Sequence, residues 1–356
     1  MDTVQRLLFK KHPPWPLTFL IFSCSGQSDE VPVKLLMDIE ACEVLEETND
    51  IVATFTDVEG KVISPDTFAC PNLYTLSGGP EHEKRELEYL YACNLPEELK
   101  IDSLSVMKDE IRYETDRMYV ETPNSIISGD VHTMHVSANS DWGSLDLNMQ
   151  FPGQVMYNAG TGVFDFFGNV PTGQYSIVNG LCSGTLTLEG EEIKFFGTTW
   201  FDRQWSWIKD LDGNKETMVK KEEFQGQDMH WTWMNLTLDN GHVMGLWDIH
   251  LYGNHSSFVT LVEPDGSHVV ANIKPLAELA SEYWISPKKQ HYPTNWIVDI
   301  PELDAKLTVK AIKKEQEVAS NMLPRYEGLA NITGTFRGKP VTGHNLVEMV
   351  GNWSKG

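Results

Sequence analysis

One short stretch, residues 197–207, concentrates side chains that could do chemistry. It holds three tryptophans, a phenylalanine, an aspartate and an arginine within eleven residues. The aromatic rings offer large apolar faces for a flat or unsaturated ligand. Asp202 offers a carboxyl group for proton transfer and Arg203 a cationic hydrogen-bond donor, and both cost free energy to bury unless they are paired. The stretch is therefore interpreted as a ligand site or, alternatively, as core aromatics beside an Asp202–Arg203 pair at a domain boundary.

A second group of polar and aromatic residues lies in a segment predicted to form a β-hairpin. Its two strands flank Asn240-Gly241, a pair that is typical of a two-residue turn. That turn predicts that Trp233 pairs with Asp248 and Trp231 with His250, all on one face. We interpret this face as a pocket wall or as a surface covered by the other domain. The opposite face is predicted to be core and carries Met234, Leu238, Val243, Trp247 and Ile249.

Half-buried strands account for most of the chain from residue 51 onward. Apolar and polar residues alternate with a period of two between turn-forming dipeptides such as Asp-Gly and Asn-Gly. Representative segments are 51–56, 146–151, 184–189 and 306–312. Many short strands at this spacing predict an all-β fold built from antiparallel barrels or sandwiches. Helices are predicted only as short elements, at 81–92 and 273–283.

The length of 356 residues suits two domains. A charged, turn-rich segment follows Trp207, so we predict an amino-terminal β-domain over 31–208 and a carboxy-terminal one over 209–356. The central stretch then lies at the domain boundary, where ligand sites are common. A formal net charge of −23 disfavours binding to nucleic acid or to an anionic membrane, because both need basic patches.

The segment 1–30 differs in composition from the rest of the chain. Arg6, Lys10 and Lys11 precede an apolar run at 15–22 and small residues at 23–26, which is the arrangement of a secretory signal. The run is too short to span a bilayer. Because prolines interrupt it, a disordered amino terminus is the alternative.

Two further features are compatible with secretion. Without Cys24, four cysteines remain, which would allow two disulfides: Cys42, Cys70, Cys93 and Cys182. Four sequons are candidate glycosylation sites: Asn235, Asn254, Asn331 and Asn352. Cysteines also serve as small buried residues, and sequons occur by chance. A secreted and a cytoplasmic location therefore stay equally open.

Cofactor and metal motifs are missing from the sequence. His132 and His135 would point to opposite faces of a strand, which makes them a poor metal pair. The segment 180–184 resembles a nucleophile elbow, but a strand is predicted to follow it, so Cys182 is interpreted as a buried structural residue. No phosphate-binding glycine loop, dinucleotide fingerprint or paired-cysteine zinc site is present. We expect neither a cofactor nor a metal.

The central stretch resembles a known family signature. Gly197-x-x-Trp200-Phe-Asp202-Arg203-x-Trp205 is similar to the G-x-x-W-x-D-[HR]-x-W signature of the lipocalin-like superfamily that contains carotenoid 1,2-hydratase, kievitone hydratase and fungal Diels–Alderases. Further family-like blocks follow in order: Tyr283-Trp284-x-Ser286-Pro287, Tyr292-Pro293-x-x-Trp296, Ile300-Pro301, Tyr326-Glu327-Gly328 and Gly343-x-x-x-Val347-Glu348-x-x-Gly351. The resemblance covers roughly residues 130–352.

The resemblance implies two lipocalin-like β-domains in tandem, with a pocket in the amino-terminal barrel or at the domain boundary. It implies action without a metal or nucleotide on an apolar small molecule, such as a polyene or a prenylated compound. Arg203 stands where the hydratases often have histidine, so their acid–base role is not carried over directly to this chain. Neither a nucleic-acid partner nor a membrane span is expected.

Three functions remain open. An intramolecular [4+2] cyclase, or Diels–Alderase, would fold a polyene within the site and use Arg203 as a hydrogen-bond donor. A hydratase would use Asp202 as the acid, with Asp248 or His250 as its partner. Because Arg203 is expected to lower the pKa of Asp202 and weaken it as an acid, the cyclase is favoured. A non-catalytic carrier would need only the aromatic cleft. The tryptophans predicted to line the site are Trp200, Trp205, Trp207, Trp231 and Trp233.

Overall fold

The computed structural model describes residues 46–56, 70–78, 86–94, 99–107, 110, 112–114, 117–166, 171–206, 230–251, 254–319, 324–351 and 353. Nearly all of these residues lie in antiparallel strands of two sheets. The predicted all-β fold is therefore confirmed. Within the described ranges, no helix is both long and apolar enough to cross a membrane.

The first sheet ends before residue 207. Its strands are β1 (Glu46–Thr56), β2 (Cys70–Gly78), β3 (Glu86–Asn94), β4 (Leu99–Met107), β5 (Arg112–Tyr113), β6 (Met118–Thr122), β7 (Ser125–Gly129), β8 (Thr133–Ser140), β9 (Gly143–Gln150), β10 (Val155–Tyr157), β11 (Val163–Asp165), β12 (Pro171–Leu188) and β13 (Glu191–Ser206). The strand order is β4-β3-β2-β1-β13-β12-β9-β8-β7-β6-β5, with β10 and β11 also paired to β12.

The second sheet begins at residue 230. Its strands are β14 (His230–Leu238), β15 (Val243–Leu251), β16 (Asn254–Val262), β17 (His268–Asn272), β18 (Glu282–Ile285), β19 (His291–Ile300), β20 (Ala305–Ala311), β21 (Glu317–Ala319), β22 (Pro324–Phe336) and β23 (Lys339–Val350). The order is β17-β16-β15-β14-β23-β22-β20-β19-β18, with β21 paired to β22.

The two predicted helices fare differently. The prediction at 81–92 is wrong, because residues 86–94 form β3, whose backbone pairs with β2 and β4. The prediction at 273–283 is reduced to α1 (Leu276–Leu279), a single turn that is followed directly by β18. Pairing with neighbouring strands outweighs weak local helix propensity in segments this short.

Both sheets are strongly curled. In the first, Arg203 of β13 contacts Met118 of β6, five strands away in the sheet. A flat sheet would separate these strands by roughly 24 Å. In the second, the segment that follows β17 returns to β19, where the backbone N–H of Lys274 donates to the carbonyl oxygen of Asp299 at 3.1 Å. Each sheet therefore encloses an inner face, which in the second holds large buried side chains such as Trp296 and Tyr326.

The outer faces of the two sheets pack against each other. Their shared apolar cluster includes Val178 and Trp200 from the first sheet and Trp233, Trp247 and Leu346 from the second. Hydrogen bonds also cross this contact. Trp247 Nε1 donates to Gln174 Oε1 at 2.8 Å, and the backbone N–H of Ala159 donates to Thr260 Oγ1 at 2.9 Å. This interface positions the residues of the central stretch.

The hairpin of β14 and β15 differs from its predicted register by one residue. Trp233 pairs with Trp247, and His230 pairs with His250. The connection is a three-residue loop in which only Gly241, of the predicted turn pair, has a positive φ (85°). A three-residue loop that ends on a left-handed residue is a common alternative to the two-residue turn. Since side chains alternate along a strand, the slip moves one strand's residues to the other face.

We predict that Gly241→Ala lowers the free energy of unfolding by about 1 kcal/mol, because a non-glycine residue is strained at this φ. No atom lies near the added methyl group, so the loss reports backbone strain alone. Gly241→Asn should cost less, since asparagine tolerates the left-handed region better. Urea denaturation of the three proteins measures the difference. Equal stability of the three would contradict the left-handed conformation of residue 241.

Candidate functional site

Asp202 lies on the outer face of β13, buried between the two sheets. Its side chain is 4% exposed and sits directly across from Ser176 of β12. Ser176 Oγ donates a hydrogen bond to Asp202 Oδ1, and Trp200 Nε1 donates to the same oxygen at 2.9 Å. Asn158 Nδ2 extends the network by donating to Ser176 Oγ at 3.4 Å. The carboxyl group is thus held rigidly in a largely apolar interface.

Burial raises the pKa of Asp202 to about 7, although the hydrogen bonds from Ser176 and Trp200 oppose the rise. The nearby negative charge of Glu348 raises the pKa further. A carboxyl group with a pKa near neutrality is suited to donate and accept protons under ordinary conditions.

Two glutamates from the second sheet complete what we call the carboxyl cluster: Asp202, Glu327 and Glu348. Glu327 and Glu348 are direct cross-strand partners on β22 and β23, and both are buried. Like charges in this position repel each other. Arg325 Nε lies 2.9 Å from Glu327 Oε1, as an ion pair rather than an aligned hydrogen bond, and Trp231 Nε1 donates to Glu348 Oε1 at 2.8 Å.

The electrostatics of the cluster favour retained protons. Burial raises the pKa of both glutamates, the charge of Glu348 adds to the rise at Glu327, and Arg325 offsets part of it. Full ionisation would place three negative charges beside the one guanidinium of Arg325 in a poorly solvated space, at a high cost in free energy. The cluster therefore disfavours ionisation of all three carboxyl groups at once.

The expected Asp202–Arg203 pair is wrong. Adjacent residues of a strand point to opposite faces, and Arg203 points into the curled first sheet, where its Nη1 lies 3.7 Å from Met118 Sδ. Its side chain is 3% exposed. The guanidinium therefore does not lower the pKa of Asp202, which is raised instead. Arg203 and Asp202 belong to different compartments of the fold.

Three of the five predicted tryptophans meet at the interface. Trp200 and Trp233 pack edge-to-face with ring centroids 6.2 Å apart, and Trp231 packs edge-to-face on Phe166 at 5.1 Å. Trp205 contributes backbone pairing in β13, and its side chain lies outside the described residues, as does all of Trp207. Both stay predictions.

A cavity of about 170 Å³ adjoins Trp200 between the sheets. It is lined by Asn179, Gly180, Leu181, Thr198, Thr199, Trp200, Asn235, Thr237, His344 and Leu346. Trp200 connects the two features, because its ring borders the cavity and its N–H holds Asp202. Asn179 of β12 is left-handed (φ 58°) and lies at a shift in strand register, which changes the direction of the strand beside the cavity.

Asp248 and His250 do not join Asp202. With the observed register they point to the inner face of the second sheet, away from Trp231 and Trp233. There His255 Nε2 lies 2.8 Å from Asp248 Oδ1, and His250 Nε2 lies 3.3 Å from the same oxygen. Burial alone would raise the pKa of Asp248, but the two neighbouring imidazoles and a hydrogen bond from the backbone N–H of Leu276 hold that pKa at about 2. The predicted partnership with Asp202 is wrong.

The features linked to secretion are only partly described. Asn235 is buried, and its side-chain oxygen accepts the backbone N–H of Leu346 at 2.6 Å, so a glycan on Asn235 is incompatible with this fold. Asn331 is exposed, whereas the side chains of Asn254 and Asn352 lie outside the described residues. Cys182 is a free, buried thiol whose pKa burial raises to about 12, so it does not form one of the two disulfides considered. The segment 1–30 and Cys42 also lie outside the described residues.

Sequence reasoning missed the functional potential of Glu327 and Glu348. Both stand inside motif blocks that carried the family resemblance, Tyr326-Glu327-Gly328 and Val347-Glu348. A glutamate at an otherwise apolar position of a strand was the available signal. Its meaning depends on which strand lies opposite, and the sequence does not reveal that pairing.

We predict that the free energy of unfolding falls as the pH rises from about 4 to about 7. The pKa of Asp202 is higher in the folded protein than in the unfolded chain. Its contribution to the free energy of unfolding is therefore complete below the unfolded-state pKa and is lost as the pH rises through the folded-state pKa. The loss is on the order of 4 kcal/mol for a shift of this size. Asp202→Asn should remove this part of the pH dependence, whereas the exposed control Asp146→Asn should not. Urea denaturation at several pH values tests this, and equal slopes in wild type and Asp202→Asn would contradict the raised pKa.

Two known proteins are similar to this chain in sequence. The dehydratase asqC of Emericella nidulans is 26% identical over 238 residues, and kievitone hydratase of Fusarium solani subsp. phaseoli is 25% identical over 243 residues. These alignments cover 63% and 64% of this chain, respectively. They cover 63% of the length of either relative, which is less than two thirds.

Three solved structures share the fold. Kievitone hydratase from Nectria haematococca aligns with a TM-score of 0.66 at 17% identity, over 88% of this chain and 90% of that one. A candidate AttH protein from Nitrosomonas europaea gives 0.69 at 17% identity, over 87% and 93%. CghA, crystallised with Sch210972, gives 0.54 at 10% identity, over 86% and 88%.

The resemblance noted from the motifs is confirmed by these relatives and by a family model. The model described as AttH-like matches residues 100–352, which contain the carboxyl cluster, the interface tryptophans and both faces of the second sheet. The chain belongs to the AttH-like family.

Proposed function

We propose that this chain is an enzyme that adds water to, or removes water from, a carbon–carbon double bond of an apolar small molecule, with Asp202 as the proton donor. The observation that carries the proposal is the raised pKa of the buried Asp202 carboxyl, which keeps it protonated up to about neutral pH. Hydration of an unactivated alkene begins with proton transfer from an acid that is held against it in its protonated form. Two relatives with the names dehydratase and hydratase support the same reaction class.

The proposed reaction begins with proton transfer from Asp202 to one alkene carbon, which leaves a carbocation on the other. The faces of Trp200 and Trp233 can stabilise that cation through cation–π attraction. Water then adds to the cation, and the proton that water loses returns to the carboxyl cluster. Dehydration is the same sequence in reverse, so atoms and charge balance in both directions.

The size of the cavity limits what can approach Trp200, whose N–H donates to Asp202. A volume of about 170 Å³ is comparable with the apolar cavity of roughly 150 Å³ that holds benzene. It therefore suits one short branched arm, such as a prenyl group, rather than an entire polyketide. We infer that such an arm enters beside Trp200 while the remainder of the substrate stays outside.

The premise that favoured a cyclase is removed. That preference depended on an ionised Asp202 next to Arg203, and Arg203 points to the other side of the strand. A [4+2] closure needs no proton and gives no reason to bury three carboxyl groups together. The cyclase and the non-catalytic carrier are alternative outcomes of the experiment below.

We predict that the protein converts a prenylated substrate, with kievitone as the first probe, into a product that carries oxygen from ¹⁸O-labelled water. Asp202→Asn should lower kcat by about 10²–10⁴-fold because the acid is lost, while substrate binding persists. Asp146→Asn is the matched control, since that carboxyl group is exposed on the first sheet. Mass spectrometry follows the product. An isomer of unchanged mass would identify a cyclase, and binding without any product would identify a carrier.

A second prediction concerns the pH profile of kcat. In wild type, kcat should fall above about pH 7, as Asp202 loses its proton. Glu348→Gln removes a neighbouring negative charge that raises the pKa of Asp202, so the falling limb should move to lower pH. Glu282→Gln is the control, because Glu282 forms ion pairs with two surface lysines, Lys310 on β20 and Lys314. A limb that stays in place in Glu348→Gln would show that Asp202 is not the titrating acid.

A further inference from the structure

Three potential metal ligands converge on the inner face of the second sheet. Asp248 and His250 are two apart on β15 and therefore point the same way, and His255 on β16 is the direct cross-strand partner of His250. One ligand atom from each lies within 4.8 Å of the other two. We propose that Asp248, His250 and His255 form a binding site for a divalent transition metal, zinc in the first place. This site is separate from the carboxyl cluster, which uses the opposite face of the sheet.

The distances fit ligands around one ion. A tetrahedral zinc site with bonds of about 2.0–2.1 Å places neighbouring ligand atoms roughly 3.3 Å apart. Asp248 Oδ1 lies 2.8 Å from His255 Nε2 and 3.3 Å from His250 Nε2. The two imidazole rings are stacked, with centroids 4.0 Å apart and planes at 17°. The Nε2 atoms of both rings lie near the same carboxylate oxygen.

A second observation points to a ligand at this place. His250 Nε2 is buried, and no atom among the described residues makes a hydrogen bond with it. A buried polar atom without a partner costs free energy, so native proteins rarely leave one unsatisfied. The 3.3 Å contact with Asp248 is too poorly aligned to satisfy it. Coordination to a metal ion would use this lone pair directly.

The surroundings hold the ligands in place. The backbone N–H of Leu276 donates to Asp248 Oδ2 at 2.8 Å, which fixes the carboxylate and leaves Oδ1 for the ion. His230 stacks on the outer side of His250 at 4.4 Å, and Trp353 packs edge-on against His230. The His255 side chain is 35% exposed, so an ion can reach the site from solvent.

The donor set selects the class of ion. Two imidazole nitrogens and one carboxylate oxygen suit zinc and its first-row neighbours rather than calcium or magnesium, which prefer oxygen ligands. Three protein ligands leave a further coordination position for water or for a group on a small molecule. The expectation of no metal came from spacings within single strands, whereas this set is assembled across a hairpin.

The test is zinc binding to the purified, chelator-treated full chain, measured by competition with a chromophoric zinc indicator. Wild type should bind one ion per chain, and its thermal unfolding midpoint should rise with zinc. His255→Ala should weaken zinc binding by more than about 100-fold, since it removes a ligand rather than a supporting group. Cobalt(II) gives an independent signature, because a tetrahedral site develops strong visible absorption that His255→Ala should lose.

His135→Ala is the matched control. His135 Nε2 also lies 3.1 Å from an aspartate oxygen, that of Asp146, but these two residues form an exposed pair on the first sheet. Its zinc affinity and cobalt spectrum should equal those of wild type. The unfolding midpoints of both variants without metal report whether they fold normally. His250→Ala repeats the test should His255→Ala misfold. The proposal would be overturned if wild type bound zinc no more tightly than the ligand variants. It would also be overturned if His135→Ala lost as much zinc affinity as they do.

Discussion

The burial of carboxyl groups between two packed β-sheets is the constraint on which the rest of this structure depends. Asp202 comes from the first sheet, and Glu327 and Glu348 come from the second. Neither sheet alone would desolvate all three groups, so their raised pKa values arise from the contact between the sheets. The apolar cluster around Trp200, Trp233 and Trp247 supplies that contact. Its hydrophobic free energy offsets the cost of burying the carboxyl groups.

Strand alternation divides the molecule into compartments with different chemistry. Along β13, Asp202 faces the second sheet while Arg203 faces the interior of the first. Along β15, Trp247 and Ile249 face the interface, while Asp248 and His250 face the interior of the second sheet. Residues adjacent in sequence therefore serve separate regions. Two sets of ionisable groups can coexist in this way without perturbing each other strongly, because a sheet lies between them.

The connection between β14 and β15 shows how much depends on one residue of register. A two-residue turn would place Asp248 and His250 beside Trp231 and Trp233, and would create an aromatic pocket with an acid and an imidazole in its wall. The three-residue loop ending at Gly241 sends these side chains to the other face. Whether the hairpin forms part of an active site or a separate polar cluster is decided by that loop.

The sequence by itself determined the fold class and the family, and it singled out the central stretch as a candidate site. Alternating residues and regular turn pairs are local signals, so the antiparallel strands and the buried Trp200 and Asp202 could be predicted. The proximity of Asp202 to Glu348, the separation of Asp202 from Arg203 and the assembly of Asp248 with His255 were decided only by the tertiary structure. These contacts depend on strand register and on which sheet faces meet. Register follows from loop geometry and packing across the whole molecule, and no local pattern encodes it.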